Sequence, residues 1–447
     1  MKTHNPFKTT EEESLHITLE EALLLLEKQV DTLPETINLI GTIVPTSEFR
    51  AIVTHAIQLG KYAHQFCFNG KPINQLADKI IEDYIIPKIT TSIVAEPTFV
   101  DAHEGHQLLL DFAMDMAKYP FPGPTSPKFT FIDLFAGIGG FRIAMQEMGG
   151  KCIFSSEFDN EAQRTYFSNY GEMPFGDITK IDEKSIPNHD VLCAGFPCQP
   201  FSISGKRLGF EDTRGTLFFD IARIAKEKKP SILFLENVKN LLSHNNGETI
   251  KQMMGILDDI GYDTQIKMLN AARYGVPQRR ERVYIIGLRK DLAHEKFIYP
   301  EPLDLPIYIE NILDNDPVAV QEATIHRTDI EFWPNDGHEE YALRPIRVGT
   351  VNKGGQGERI YSTKGVGVTL SAYGGGVGAK TGLYKINGNV RRLTPRECAR
   401  VQGFPEAFVI PHNRNIAYKQ FGNSVSINVL RCIIKSIINT KILNNAK

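Results

Sequence analysis

Apolar side chains recur at helical spacing over residues 17–30, and Thr18 and Glu21 stand in capping-box order at the start of that run. The same periodicity predicts helices over 47–66, 74–89 and 105–118. It stops at Tyr119-Pro-Phe-Pro-Gly-Pro-Thr-Ser-Pro127, where four prolines in nine residues cannot continue a helix and mark a boundary. Beyond this linker the period changes. Short apolar runs at 129–135, 152–155, 190–194, 232–235 and 282–288 predict strands, with helical stretches such as 217–228 and 249–259 between them. The alternation predicts an α/β fold with a doubly wound, mostly parallel sheet. Ligands of such sheets sit beyond the carboxyl ends of the strands, so chemistry is sought directly after each apolar run.

Composition narrows the picture. The chain has 447 residues, 42% hydrophobic and 23% charged, enough to bury a large core and too apolar for wholesale disorder. No apolar run approaches the ~18 residues of a membrane helix, so no membrane association is expected. The polar, acidic N-terminus lacks the apolar core of a signal peptide and points to a cytoplasmic protein. Six cysteines, none in a C-x-x-C pair, predict neither a disulfide framework nor a structural zinc site.

The net charge of −3 is unevenly distributed. Residues 1–127 hold 9 Lys/Arg against 17 Asp/Glu, and residues 289–340 hold 4 against 13. Residues 341–392 reverse the balance, with 9 basic residues, the lone acid Glu358, and 12 of the chain's 36 glycines. A basic, glycine-rich block in an acidic chain is either a phosphate-facing surface or a solvated loop region.

The strand ends carry the candidate chemistry. After the first comes Asp133-Leu-Phe-Ala-Gly-Ile-Gly-Gly-Phe141, whose glycines permit a tight turn and close approach to a ligand. It is not G-x-G-x-x-G, and no Walker lysine follows, which disfavours a triphosphate. Glu157, 20 residues beyond Gly137, can accept from two ribose hydroxyls, and Asp177 from an adenine amino group. Together these positions favour an adenosyl ligand. Gly195-Phe-Pro-Cys-Gln-Pro-Phe-Ser202 follows a later strand. Pro197 and Pro200 bracket and stiffen Cys198, a candidate nucleophile; an isolated cysteine is more often buried and inert. Glu236 follows Ile-Leu-Phe-Leu at the mouth of the core, where partial desolvation raises a carboxyl pKa and suits proton donation. In Gln278-Arg-Arg-Glu-Arg282, strand alternation aims Arg280 and Arg282 to one face. A nucleophile, an acid and paired arginines beside an adenosyl site suggest attack on an electron-poor ring followed by group transfer. The chemistry alone does not choose the ring.

Taken in order, residues 133–140, 195–202, 236–238, 278–282, 392–405 and Gln420-Phe-Gly-Asn-Ser-Val425 resemble the motifs of the DNA (cytosine-5) methyltransferases, and the resemblance covers residues 128–447. It implies an S-adenosyl-L-methionine-dependent, Rossmann-like catalytic domain, expected at 128–305 and 395–447. A small glycine-rich target-recognition domain is expected at 306–394, and a helical N-terminal extension of open role at 1–127. The chemistry it implies is addition of Cys198 to C6 of a cytosine flipped out of double-stranded DNA, with Glu236 on N3 and the 4-amino group. Arg282 would contact O2 with Arg280 in support, and no metal is required. Cofactor contacts implied are Phe135, Gly137, Gly139, Glu157, Phe158, Asp177, Ile178, Pro197 and Asn423. DNA contacts implied are Ser202, Ser204 and Arg214 in the loop after Cys198.

The segments Gly354–Ser362 and Thr369–Gly376 resemble the recognition domain of the HhaI-type (GCGC-specific) branch. That likeness adds Gln356, Arg359, Thr369, Tyr373 and Gly376 as DNA contacts. Val377, Gly378 and Leu383 depart from the branch, so the expected site is GCGC or a relative with a G·C core. The implied role is modification enzyme of a type II restriction–modification pair, a monomer sharing its site with a cognate endonuclease. A tRNA substrate and a non-catalytic DNA-binding regulator are the alternatives. The first lacks its branch's Cys-Phe-Thr signature here, and the second is disfavoured by intact Cys198, Glu236 and Arg282.

Overall fold

The computed structural model describes residues 19–30, 33–39, 42–68, 71–85, 119–197, 217–303, 305–334, 340–374 and 376–444. It divides into two compact units, Met1–Met114 and Asp115–Lys447.

In the first unit, α1 (Leu19–Gln29), α2 (Thr46–Leu59) and α3 (Ile73–Ile80) bury Leu23, Leu26, Phe49, Ile52, Leu76 and Ile80. Short antiparallel pairs lie between them: β1 (Thr36–Leu39) with β2 (Thr42–Pro45), and β3 (Cys67–Phe68) with β4 (Lys71–Pro72). The extension is therefore not purely helical. Strands of two to four residues are too short for their alternation to register in the sequence. The helix expected over 47–66 stops at Leu59 because Gly60 (φ 51°) leaves helical geometry, and a 3₁₀ segment follows. The helix expected over 105–118 lies outside the described residues.

The second unit holds two sheets. The larger runs through β5 (Phe129–Leu134), α4 (Gly140–Glu147), β6 (Gly150–Ser156), α5 (Asn160–Tyr170), β7 (Val191–Gly195), α6 (Leu217–Lys228), β8 (Ile232–Val238), α7 (Glu248–Asp259), β9 (Tyr262–Asn270) and β10 (Glu281–Arg289). Its order is β6-β5-β7-β8-β10-β9. The pairings among β6, β5, β7 and β8 are parallel, and β10 is antiparallel to both β8 and β9. The fold class expected from sequence stands. β9 was not anticipated: several of its residues, Lys267 and Met268 among them, are exposed on this edge strand, so no apolar run marks it. The winding reverses at β5, which opens a crevice at the carboxyl ends of β5 and β7.

The smaller sheet follows α8 (Pro317–Ala323) and comprises β11 (Ile330–Phe332), β12 (Arg347–Val351), β13 (Arg359–Ser362), β14 (Leu383–Ile386) and β15 (Asn389–Arg391), in that order. Val348, Val351, Ile360, Leu383 and Val390 form its own small core. The chain then returns to the large sheet through α9 (Pro395–Gln402), α10 (Arg414–Asn423) and α11 (Ile427–Asn439), with α11 packed on α4. Among the described residues, the stretch Arg414–Asn439 is long and apolar enough to cross a membrane by length and composition, an exception to the sequence expectation. Its apolar residues Ala417, Phe421, Leu430, Ile433 and Ile437 belong to the core of this unit.

The crossings into and out of the small sheet meet at one buried carboxylate. Glu397 accepts two 2.7 Å bonds from the Arg391 guanidinium, one from the Asp314 amide (2.7 Å) and one from the Thr394 amide (2.8 Å). Both ionic side chains are almost fully buried. Removing one partner leaves an uncompensated interior charge, so Glu397→Ala is expected to cost about 3–5 kcal/mol of stability, read by urea or thermal denaturation.

Candidate active site

The loop after β5 is built from left-handed backbone: Phe135 (φ 56°), Gly137 (φ 56°) and Gly139 (φ 82°). Ala136 donates its amide to Ser156 O (2.9 Å), tying the loop to the end of β6. A Cβ on Gly137 would meet nothing within 4 Å, because the residue faces open space. A Cβ on Gly139 would strike the Tyr170 ring, whose hydroxyl donates to Gly139 O at 2.8 Å. Of the two loop glycines expected at the cofactor, Gly137 lines the cavity there and Gly139 instead packs against Tyr170, outside the lining. Farther inside, buried Arg142 pairs with Glu172 (2.5 Å) and bonds the Tyr166 hydroxyl (2.9 Å).

That cavity encloses about 790 Å³. Its wall carries Phe135, Gly137, Glu157, Phe158, Asp177, Ile178, Pro197 and Asn423, and also Glu236, Arg280 and Arg282. Glu157 accepts from the Gly137 and Asp159 amides, each at 2.8 Å, one on each carboxylate oxygen. Each oxygen keeps a free lone pair, which suits a pair of vicinal hydroxyls. Burial pushes the Glu157 pKa up, against the pull of those amides. Phe158 stands 76% exposed beside it, an apolar face without a cover. Asp177 caps the turn Ile178–Lys180, accepting from the Thr179 amide (3.0 Å) and hydroxyl (2.8 Å), so one carboxylate both shapes the turn and faces the cavity. Lys419, on the same wall as exposed Asn423, pairs with Asp159 at 2.6 Å. Vicinal acceptors, an open aromatic face and a second acid fit an adenosine group. Phe158→Ala is expected to weaken binding of an adenosyl ligand by about tenfold, read by calorimetry, with little change in melting temperature because the ring is exposed.

At the far side of this cavity lies the acid. β8 delivers Glu236 opposite Gly195 of β7, and only 7% of the residue is exposed. Burial pushes its pKa up, while Arg282 and Arg280 pull it down. Arg282 Nε lies 3.1 Å from Glu236 Oε1. Arg280 is buried and donates to Leu370 O (3.3 Å), Gly422 O (3.2 Å) and Ser424 O, joining the small sheet's loop to the C-terminal segment. Burial and the neighbouring Arg282 push its pKa down to about 9. Asn237 donates from Nδ2 to Phe196 O (2.9 Å) and accepts from the Val238 amide (2.8 Å), fixing the chain two residues before Cys198. Cys198, Ser202, Ser204 and Arg214 lie outside the described residues.

A second hollow of about 980 Å³ opens against the small sheet. Gln356, Arg359, Thr369 and Tyr373, the positions the resemblance implies, line it; Gly376 does not, and turns at φ 96° beside Gly357. Thr369 Oγ1 donates to Arg279 O at 2.6 Å. Lys239, Arg279, Arg344 and Arg347 complete the basic wall. Arg344 and Arg347 belong to the basic block and Arg279 to the Gln-Arg-Arg-Glu-Arg run, so their signal was present and unused; Lys239 had none. The acid on this wall, Glu281, pairs with Lys239 at 2.8 Å. Glu358, the lone acid of the block, accepts from Asn352 Nδ2 (2.7 Å) and the Gly355 amide (2.8 Å). Arg282 and Tyr373 line both hollows, so the acid pocket stands where they meet.

A family model described as C-5 cytosine-specific DNA methylase matches residues 129–439. The type II methyltransferase M.HhaI of Haemophilus parahaemolyticus is 53% identical over 307 residues, spanning 69% of this chain and 93% of its own length. The type II methyltransferase M.HpaII of Haemophilus parainfluenzae is 45% identical over 333 residues, 70% of this chain and 89% of its own. In three dimensions, the S. pombe Dnmt2 methyltransferase superposes with a TM-score of 0.54 at 18% identity, covering 69% of this chain and 98% of that one, a likeness of fold.

Proposed function

Since the chain belongs to the C-5 cytosine-specific DNA methylases and so transfers methyl groups from S-adenosylmethionine to cytosine C5 in DNA, we propose that it does so through a covalent adduct between Cys198 and a base flipped out of the duplex. C5 of cytosine is a poor nucleophile until a thiolate at C6 pushes electrons onto it. The observation that carries the reading is Glu236. A carboxyl buried at the junction of the two hollows, its pKa pushed up by burial against the pull of Arg282 and Arg280, is placed to give a proton to N3 as the sulfur adds. Arg282, 3.1 Å from it, holds the carboxyl in place and offers donors to O2. Arg280 acts behind it by fixing the walls.

The bound cofactor supplies an electrophilic methyl group. Around it, Glu157 takes the ribose hydroxyls, Phe158 and Ile178 enclose the adenine with Phe135, Asp177 accepts from its amino group, and Gly137, Pro197 and Asn423 close the wall. Gly139 supports the turn from below. On the DNA side, Gln356 fills the vacated space, and Arg359 reads guanine with its planar fork. Thr369, Tyr373, Ser202, Ser204 and Arg214 hold the strands, with Gly376 shaping the loop. Extrusion of the base costs a few kcal/mol, which these contacts offset.

The division of labour we propose is 128–305 with 395–447 for catalysis, 306–394 for recognition, and 1–127 as an added extension. The target is a short G·C-rich site, GCGC or a relative, and the chain acts as a cytoplasmic monomer protecting DNA from a cognate endonuclease. Bisulfite sequencing of a plasmid from cells expressing the chain tests this directly. Protection is expected at one cytosine within one short G·C-rich context. Full conversion of every cytosine would overturn the reading, and a parallel assay with labelled duplex DNA and tRNA separates the two substrates.

A further inference from the structure

Trp333 is the single tryptophan of the chain, and nothing in the reaction described so far uses it. It follows β11, the edge strand of the small sheet, and its amide donates to Val348 O at 3.0 Å. The ring is 44% exposed, and the Arg347 guanidinium lies over it with Cζ 4.4 Å from the ring centroid. Arg347 belongs to β12 and lines the basic hollow with Arg344 and Arg359. Its Nε is buried without a hydrogen-bond partner, and Gly354 leaves room for its Nη2: a Cβ there would come within 2.9 Å.

We propose that Trp333 and Arg347 form one phosphate-binding unit that grips the backbone of duplex DNA beside the recognised site. Stacking uses the π-face of the guanidinium and leaves its edge free. With Nε buried, the N–H groups on Nη1 and Nη2 are the ones that match the oxygens of a phosphate. Position argues for backbone rather than base. Arg359, the expected guanine reader, is on β13, and Arg347 stands one strand further out, opposite Tyr361. Neighbouring strands are about 4.8 Å apart, so the unit continues the basic wall away from Gln356 and Arg359. The neighbouring edge residue repeats the device, with Lys385 Nζ 4.6 Å over the Phe332 ring. Holding a long side chain against a ring also lowers the entropy lost when phosphate binds.

The inference rests on the reading that the chain binds duplex DNA, and the test separates the two. Because the indole is unique, fluorescence of the full chain excited at the red edge, where the tyrosines do not absorb, reports this spot alone. Titration with duplex is expected to quench it in step with a gel-shift isotherm. Trp333→Ala is expected to weaken duplexes with and without the target site by the same factor, about fivefold. It should raise KM for DNA with kcat unchanged, and reduce the slope of log K against log salt by about one. Arg347→Ala should match it, the double variant should lose no more than Arg347→Ala alone, and Trp333→Phe should stay within about twofold of the parent. Additive losses, an unchanged salt slope, or a loss confined to one sequence would overturn the unit. A parent chain that binds no duplex would sink the DNA reading itself. Normal binding by Trp333→Ala would sink the unit and leave that reading standing.

Discussion

Cys198→Ser is expected to reduce methyl transfer by about 10⁴-fold or more while duplex affinity stays within a few-fold of the parent. The size of the effect follows from what the thiolate does in the proposed covalent route. Without a bond at C6, C5 has no electrons to offer, and no amount of positioning replaces that bond. A hydroxyl at the same place is far less acidic than a thiol and is not ionised near neutrality, so the conservative exchange keeps the shape and loses the chemistry. Binding, in contrast, is proposed to rest on the basic hollow lined by Arg279, Arg344, Arg347 and Arg359. The companion measurement uses an oligonucleotide with 5-fluorocytosine at the target. After methyl transfer, C5 then carries no proton to remove, so the parent chain stays joined to the DNA and migrates as a conjugate in a denaturing gel. The serine variant forms none. Full residual activity in Cys198→Ser, or absence of a conjugate with the parent chain and cofactor present, would refute the covalent route.

Glu236→Gln carries the second large effect, an expected loss of about 10²–10³ in kcat. The amide keeps the volume and a donor but cannot give a proton. The pH dependence follows from the raised pKa. A carboxyl held above its ordinary range remains protonated to higher pH, and the acid form declines as pH rises through the shifted value. The parent enzyme should therefore show an alkaline fall in kcat/KM that starts above the usual carboxylate range, and the glutamine variant should lack that fall. The same shift bears on stability. Relative to the unfolded chain, the folded state binds this proton more tightly, so its contribution is present at low pH and is lost as pH rises from the ordinary carboxylate range through the folded value. A profile of the variant that superimposes on the parent after scaling would remove Glu236 from the proton transfer.

Much of this centre was legible because it sits where strands end. Ile-Leu-Phe-Leu before Glu236 and the apolar run before Gly137 are local signals, each readable without the rest of the chain. Glu157 was legible for the same reason. Gly139 was not. Its neighbour Tyr170 is distant in sequence, so only the folded chain reveals that a ring fills the space where a side chain would stand. Asn237 and Lys419 were missed for a related cause. Each acts on a partner from another segment, Phe196 O for the first and Asp159 for the second. Among the basic residues, charge counting located the block at 341–392 but could not tell Arg347, which faces the hollow, from Arg391, which is spent on buried Glu397. The short strands of the N-terminal unit escaped because two to four residues carry no usable period.

The carboxylate of Glu397 has a consequence for how sequence preference can change. Through Arg391 and the Asp314 and Thr394 amides, it clamps both crossings of the chain into the small sheet. Everything between those crossings is tied to the large sheet here and again where Arg280 donates to Leu370 O and Thr369 donates to Arg279 O. On the proposed division of labour, a foreign segment grafted between these crossings would need an arginine and a backbone amide for Glu397 and a carbonyl for Arg280, so exchange of a module is constrained at those few points rather than along its whole length.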